Sequence, residues 1–385
     1  MTSKKGIYLF AVLGLLLGII LDQLIRHQNL TLVYYAIPTL FSLLFALAYD
    51  DNNIVRLAGT SLLLALFLSS PLLPLNVDFN ITNYAHFLTF LVAFPFFVYV
   101  VHCFHYAFHH DNSIQISYST LFAAVWNTIP LIVIASIFSS LANLLIMLAA
   151  FIFKTVGSNF LADLYFYNHH FNLICNSTLF FIGLAVGQQN IKIVYGLRFL
   201  MLRIMYFLFP FLAIISGIYF VLYLLHSFTG GIEHINPLLV LLPLTVMGVL
   251  FFNAYYQDGN EASDYPAWLE TVLQVYRVIL FILALMMTYK VLRELTIDIN
   301  VCLYLLVALL FTLTYALTAF FGNAEEKKWI AIGNIATGFI FVALLYLFNL
   351  PYMSVDLTIG GKNNPGILTS SITSLMQQPV HTANP

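Results

Sequence analysis

Residues Leu121–Phe153 read LFAAVWNTIPLIVIASIFSSLANLLIMLAAFIF, a run of thirty-three positions without one charged side chain. A helix on the surface of a soluble protein turns a charged face to water, and this stretch has no such face. Crossing ~30 Å of hydrocarbon takes about 20 apolar residues. The run extends about 50 Å as a helix, so it is long enough to span a bilayer with residues to spare. Pro130 is expected to kink it, or to separate an interfacial piece, Leu121–Thr128, from the true span.

The chain on either side has the same character. Of its 385 residues 61% are hydrophobic and 8% charged, where soluble domains carry roughly 25% charged residues. Further apolar stretches lie at Gly6–Leu24, Thr31–Ala48, Ile54–Leu72, Thr82–Phe104, Phe171–Gly187, Leu200–Leu225, Pro237–Tyr255, Leu269–Tyr289, Val301–Phe321 and Trp329–Leu350. The expected fold is all-α, a polytopic transmembrane bundle of about eleven spans over residues 1–350. The stretch Phe171–Gly187 is short and carries Asn172 and Asn176. The segment before it, Asn159–Asn168, reads as amphipathic and interfacial. Residues 351–385 are rich in Gly, Pro, Ser, Thr and Asn (GGKNNPG, QQPVHTANP) and read as a polar, flexible tail. Lys4 and Lys5 precede the run Gly6–Leu21, but no small-x-small cleavage site follows. It is read as a first span retained in the mature chain.

The formal net charge is −2, from 14 basic and 16 acidic residues. This balance leaves no electrostatic footprint for nucleic acid. Membrane lipids are the expected partners, and neither a protein partner nor an oligomeric state is legible. With a cytoplasmic N-terminus and eleven alternating spans, nine cations flank the inside (Lys4, Lys5, Arg56, Lys192, Arg198, Arg203, Arg277, Lys327, Lys328) and five the outside (Arg26, Lys154, Lys290, Arg293, Lys362). The excess agrees with the positive-inside rule. Cys103, Cys175 and Cys302 lie in apolar stretches without a CxxC, which suggests buried thiols rather than a disulfide framework or thiolate zinc.

Between Phe252 and Leu269 the chain reads FNAYYQDGNEASDYPAWL. Asp258-Gly259 is a turn pair, Tyr265-Pro266 ends an extended segment, and Trp268 is placed to anchor the next helix at headgroup level. Asn253, Ala254, Tyr256, Gln257, Asp258 and Gly259, with Tyr265, Pro266, Trp268 and Leu269, resemble the pattern of a bacterial family, domain of unknown function 4153. The similarity extends over about residues 121–351 and includes Arg293 and Thr296. The chain departs from the pattern at Glu294 and Leu295, where the family tends to carry a glycine and a second arginine. The resemblance implies a bacterial inner-membrane location and a polytopic architecture, and no agreed activity. Gln257, Asp258, Glu261, Asp264 and Glu270 form an acidic patch suited to a cation or a basic segment. Their spacing is not that of a calcium loop.

His102, His105 and His109 recur at i, i+3 and i+7 on one helix face, followed by His110 and Asp111. The string HCFHYAFHHD resembles one histidine box of membrane desaturases and hydroxylases, which hold two irons with several such boxes. Only a bare pair, His169 and His170, exists elsewhere, and alternating spans put His109 and His170 on opposite sides of the membrane. The expectation is therefore interfacial histidines without a ligand and no cofactor. A metal-dependent membrane enzyme built on His102, His105, His109 and His110 is the alternative.

Asn127, Asn143, Asn176, Asn253 and Asn334 are polar residues inside apolar stretches and are expected to bond across helices. Arg203 is expected to snorkel from the inner end of the seventh span, and His226 lies near the outer end of the same span. No span carries a central Asp or Glu, which weakens a proton-coupled pump. Gly14-x-x-x-Gly18 and Gly183-x-x-x-Gly187 place small residues where two helices can approach closely. There is no Walker motif, GxSxG or phosphate-cradling GxGxxG. The expected function is non-catalytic: transport of a small or lipidic solute, or support of an envelope assembly.

Overall fold

The computed structural model describes residues 4–50, 53–73, 75–77, 88–113, 115–229, 237–259, 264–294 and 299–349. They form α1 (Lys4–Arg26), α2 (Leu32–Leu47), α3 (Ile54–Ser69), α4 (Phe94–His110), α5 (Tyr118–Thr155), α6 (His169–Gln189), α7 (Ile191–Thr229), α8 (Leu238–Tyr256), α9 (Ala267–Glu294), α10 (Ile299–Thr318) and α11 (Asn323–Leu344). Among the described residues, 10 helical segments are long and apolar enough to cross a membrane, and α2 is a shorter apolar helix. The chain is an all-α, multi-pass membrane protein. The tail from residue 351 and the start of the fourth expected span lie outside the described residues.

Several helix ends differ from the hydropathy reading. Helix α5 runs unbroken through Pro130, so Leu121–Thr128 is not a separate piece. Proline removes one backbone bond, which helices in lipid tolerate when neighbouring groups re-satisfy the freed carbonyl. The helix starts where the Ser117 hydroxyl accepts from the Thr120 N–H. It stops at Gly157, whose φ of 82° suits a residue without Cβ. Helix α4 continues past Phe104 to His110, so the histidine row is helical and largely enclosed. His102 is 2% and His105 4% exposed, so protein encloses both imidazoles. Helix α7 begins at Ile191 rather than Leu200 and takes Lys192 and Arg198 into the helix. The stretch before α6 is a short helical turn, Phe160–Ala162, and a π-turn, Asp163–Tyr167, with Tyr165 buried.

The helices group into two compact units, one of Met1–Asn80 with Phe96–Met201, the other of Ile81–Pro95 with Leu202–Pro385. In the first unit α6 is the central helix. A Cβ on Gly14 would lie 2.9 Å from the Thr178 Cα, and one on Gly18 would lie 2.7 Å from the Ile174 Cα. On another face of α6, a Cβ on Gly183 would meet the Ala135 carbonyl oxygen at 2.8 Å. Gly14, Gly18 and Gly183 thus bring α6 directly against the backbones of α1 and α5, and Gly187 makes room for the Leu131 side chain. The Ser177 hydroxyl donates to the Gly14 carbonyl at 2.8 Å. The core between them includes Phe10, Leu17, Leu131, Phe181 and Leu184.

The asparagines that made α6 look a poor span are internal. The Asn143 amide donates to Asn176 Oδ1 at 2.8 Å, and Asn176 donates to Asn172 Oδ1 at 2.9 Å. Asn172 donates to the Tyr165 carbonyl, and the Tyr165 hydroxyl donates to Asn143. Each of these three asparagines and Tyr165 thereby finds a partner within the unit, as polar groups in lipid require.

In the second unit α8 packs on α9, α9 on α10 and α10 on α11. Its core is aromatic, with Phe209, Phe252, Tyr276 and Tyr315 buried together. Phe252 and Tyr315 rings approach to 4.3 Å. The turn after α8 is held by Tyr265, which stacks on Tyr206 at 4.3 Å and 10° and donates to the Tyr206 carbonyl. Burial pushes the Tyr265 phenol well above its ordinary pKa, which keeps it a donor.

Candidate functional site

In the first unit, α2, α4 and α6 finish at the same end at which α5 and α7 begin. They enclose a hollow of about 270 Å³. Its polar lining comes from Asp50 after α2, Tyr106, His109 and His110 on α4, Asn127 and Thr128 on α5, Gln188 at the end of α6, and Tyr195 on α7. An adjoining hollow of about 270 Å³ shares Tyr106, His110, Asn127 and Tyr195 and adds Ser119, Thr120 and Arg198. Leu47, Leu131, Ile191 and Val194 complete the first wall, so the polar groups converge inside an apolar frame.

Local folding explains the convergence. Gln188 donates to the Ala46 carbonyl at 2.6 Å, tying the end of α6 to α2. The tight link from Gln189 to Ile191 turns α7 straight back, so Tyr195 and Arg198 come to face α5. Arg198 Nη1 donates to Asn127 Oδ1 at 3.2 Å, and its guanidinium lies 5.6 Å from the Tyr195 ring centre. Asp111 pins the loop between α4 and α5. It accepts from the Ser117 N–H at 2.7 Å and the Thr120 hydroxyl at 2.7 Å. Burial opposes its ionisation, but these bonds and nearby His110 hold the carboxyl below the usual carboxylate range.

The histidine row lies against this site, and its members bond to hydroxyls rather than to one another. His102 Nε2 lies 3.2 Å from Thr128 Oγ1. Thr60 Oγ1 lies 2.9 Å from His105 Nε2 and 2.7 Å from His109 Nε2. That hydroxyl also donates to the Arg56 carbonyl at 3.0 Å. With its one proton spent there, its lone pairs accept from both imidazoles, which fixes both as Nε2–H tautomers. Thr60→Val is therefore expected to leave a buried His105 N–H without an acceptor, at a cost of about 1–3 kcal/mol. Thr60→Ser should restore stability in denaturant titrations in detergent micelles. Equal stability of Thr60→Val and wild type would refute the arrangement.

His169 and His170 are remote from this row. His170 contacts Asp22 near the end of α1, whereas Gln188, about 27 Å further along α6, lines the hollow with His109. Among the described residues no group of three or more His, Cys, Asp or Glu side chains is arranged to hold a metal ion.

The second unit disposes of its polar residues differently. The Asn253 amide donates to the Tyr315 hydroxyl at 2.7 Å, Tyr315 donates to Asn334 at 3.0 Å, and Asn334 donates back to Asn253 at 3.1 Å. The family-like motif thus begins in a closed ring of hydrogen bonds. Ala254 is buried against the core, Gln257 has a φ of 53°, and Gly259 closes the turn by donating to the Tyr256 carbonyl at 3.0 Å. Pro266 opens the first turn of α9, where its carbonyl accepts from the Leu269 N–H at 2.9 Å. Trp268 is largely exposed, as a headgroup anchor requires. In the acidic patch Asp264 faces Arg203 at 3.5 Å, so Arg203 has a specific partner and also lies over Phe207 at 4.8 Å. Glu261 lies outside the described residues.

Sequence reading picked out Asn127 and the histidines, but not Thr60, Asp50 or Gln188. Arg198 was visible only as a flanking charge. The signal available for it was its place seven residues into a segment that stays helical from Ile191. Comparison of the chain with family models, with curated proteins and with solved structures found no match.

Proposed function

We propose that this is a multi-pass protein of the bacterial inner membrane, with a cytoplasmic N-terminus, that binds a small polar solute in its first unit and moves it across the bilayer without covalent chemistry. The observation that carries this reading is the hollow lined by Asn127, Gln188, Tyr106 and Asp50, in a unit whose other span asparagines, Asn143, Asn172 and Asn176, bond to one another. Polar groups at such a place are costly in lipid and typically mark a solute path. The resemblance to domain of unknown function 4153 and the distribution of flanking cations support the location and orientation. With that orientation the hollow lies at the cytoplasmic end. The histidines take a supporting role, because His105 and His109 converge on the Thr60 hydroxyl and not on a common centre.

Support of an envelope assembly is the second reading. It is favoured by the second unit, where the Asn253–Tyr315–Asn334 ring satisfies its own polar groups. Osmotic swelling of proteoliposomes against glycerol, urea, acetate and glycine separates the two. Uptake of at least one solute should exceed that of protein-free liposomes about tenfold, and Asn127→Leu should abolish the excess. Swelling no faster than in empty liposomes for every solute would exclude the transport reading.

A further inference from the structure

We infer that the hollow beside Arg198 takes a small monovalent oxyanion, a carboxylate or a phosphodiester, held by the Arg198 guanidinium and the Asn127 amide. This deepens the solute-binding reading and rests on it. Arg198 is half-buried on α7. Among the described residues Arg198 forms no ion pair with a carboxylate, unlike Arg26, Arg203 and Arg277. A guanidinium partly withdrawn from water in a membrane-spanning helix needs an opposite charge or a route to the surface. Here it is turned inward, onto Asn127 and over Tyr195.

The bond to Asn127 fixes the rest of the chemistry. Arginine has only donors, so the Asn127 atom that faces it must be the carbonyl oxygen. The Asn127 NH2 group therefore points away from Arg198, with two protons and no protein acceptor among the described residues. Both residues line the same hollow. The site thus offers several N–H groups and one positive charge, and among the described residues no carboxylate or carbonyl takes up the free ones. A ligand that matches must bring acceptor oxygens and negative charge, and planar carboxylates suit a guanidinium fork. Two features limit its size and charge. The hollow beside Arg198 itself offers about 270 Å³ and adjoins a second of the same volume, so the part within reach of the guanidinium suits a small acid or a single headgroup. Asp50 lines the adjoining hollow, so a second negative group on the ligand would be repelled.

The test uses the full chain in maltoside micelles and in phosphatidylcholine nanodiscs, with thermal unfolding followed against sodium acetate, sodium chloride at matched ionic strength, and glycerol. Acetate should raise the unfolding midpoint saturably, and chloride and glycerol should not. Arg198→Gln, which keeps a donor for Asn127, should weaken the acetate response at least tenfold. Lys192→Gln, an exposed position on the same helix, should leave it unchanged. Asn127→Asp supplies the missing charge in place. It should raise the midpoint without acetate and remove the acetate response, a readout that stands even if Arg198→Gln fails to fold. Phosphatidylglycerol in the nanodiscs distinguishes the sources: an Arg198-dependent shift from the lipid alone assigns the oxyanion to a headgroup. An acetate shift equal in wild type and Arg198→Gln would overturn the inference. So would a shift with glycerol alone that Asn127→Leu removes, though solute binding in the hollow would then survive. No Asn127-dependent shift with any of the probes, phosphatidylglycerol included, would remove both.

Discussion

Gly18→Leu is expected to destabilise the first unit by about 3 kcal/mol, near the upper end of what overpacking usually costs, whereas Gly59→Leu is expected to change stability by less than about 0.5 kcal/mol. Both glycines are helical, and both substitutions add the same atoms. What differs is the space. A Cβ on Gly18 would sit 2.7 Å from the Ile174 Cα, while nothing lies within 4 Å of one on Gly59. The clashing atom is backbone, so no side-chain rotation relieves it, and α1 must lift off α6. Gly183→Leu should act the same way on the other face of α6, where the Ala135 Cα stands at 2.9 Å. The two contacts share no side chain and lie about 13 Å apart along α6, so their costs should add. Denaturant titrations of the purified variants in detergent micelles read this directly. If Gly18→Leu and Gly59→Leu unfold together, α1 and α6 do not touch as described.

The same contacts show what a linear sequence can and cannot say about this fold. The spans were legible because lipid demands long uncharged stretches, and the two glycine pairs because small residues four apart share a helix face. Which helix each pair would meet was not legible. The partner of Gly14 is Ser177, 163 residues away, and only the folded surfaces specify that choice. Helix ends were misplaced for a related reason. Hydropathy falls beyond Phe104 and before Leu200, but the backbone still gains by continuing its hydrogen bonds, so α4 and α7 run on into polar sequence. Those extensions carry His109, His110, Tyr195 and Arg198, much of the candidate site. Reading spans as apolar runs therefore trims away the ends where the chemistry sits.

Asn127 and Asn253 make the point about function. Both were marked as polar residues inside spans, with one expectation for both. Asn253 uses both amide protons, on the Val249 carbonyl and the Tyr315 hydroxyl, and its oxygen accepts from Asn334. Among the described residues Asn127 uses only its oxygen, on Arg198. A fully satisfied amide stabilises a packed core, whereas a half-satisfied one beside a hollow is available to a ligand. This difference in hydrogen-bond accounting is the reason for proposing a solute site in the first unit and a structural role for the second.

Arg277 was read from sequence as one more inner flanking charge, and the structure makes it a tie among four helices of the second unit. Its Nε donates to the Tyr315 carbonyl at 2.8 Å, one Nη to Thr318 at 2.6 Å and the other to Glu326 at 2.5 Å. The guanidinium also lies 4.9 Å from the Phe252 ring centre. One residue of α9 thus joins α10, α11 and α8. Breaking a buried ion pair from one side typically costs about 3–5 kcal/mol, because the abandoned charge cannot reach water. The two sides are unequal here. The Arg277 side chain is 6% exposed and that of Glu326 18%. Glu326, in the first turn of α11, can turn outward when its partner is lost, and Arg277 cannot. Glu326→Ala is therefore expected to cost more than Arg277→Met, despite removing fewer hydrogen bonds. The double replacement Arg277→Met with Glu326→Met should be more stable than Glu326→Ala, since no charge is left stranded. Unfolding midpoints of the three variants in micelles give the order. If Arg277→Met proves the most damaging and the double variant no better, its hydrogen bonds to Tyr315 and Thr318 outweigh the charge pair.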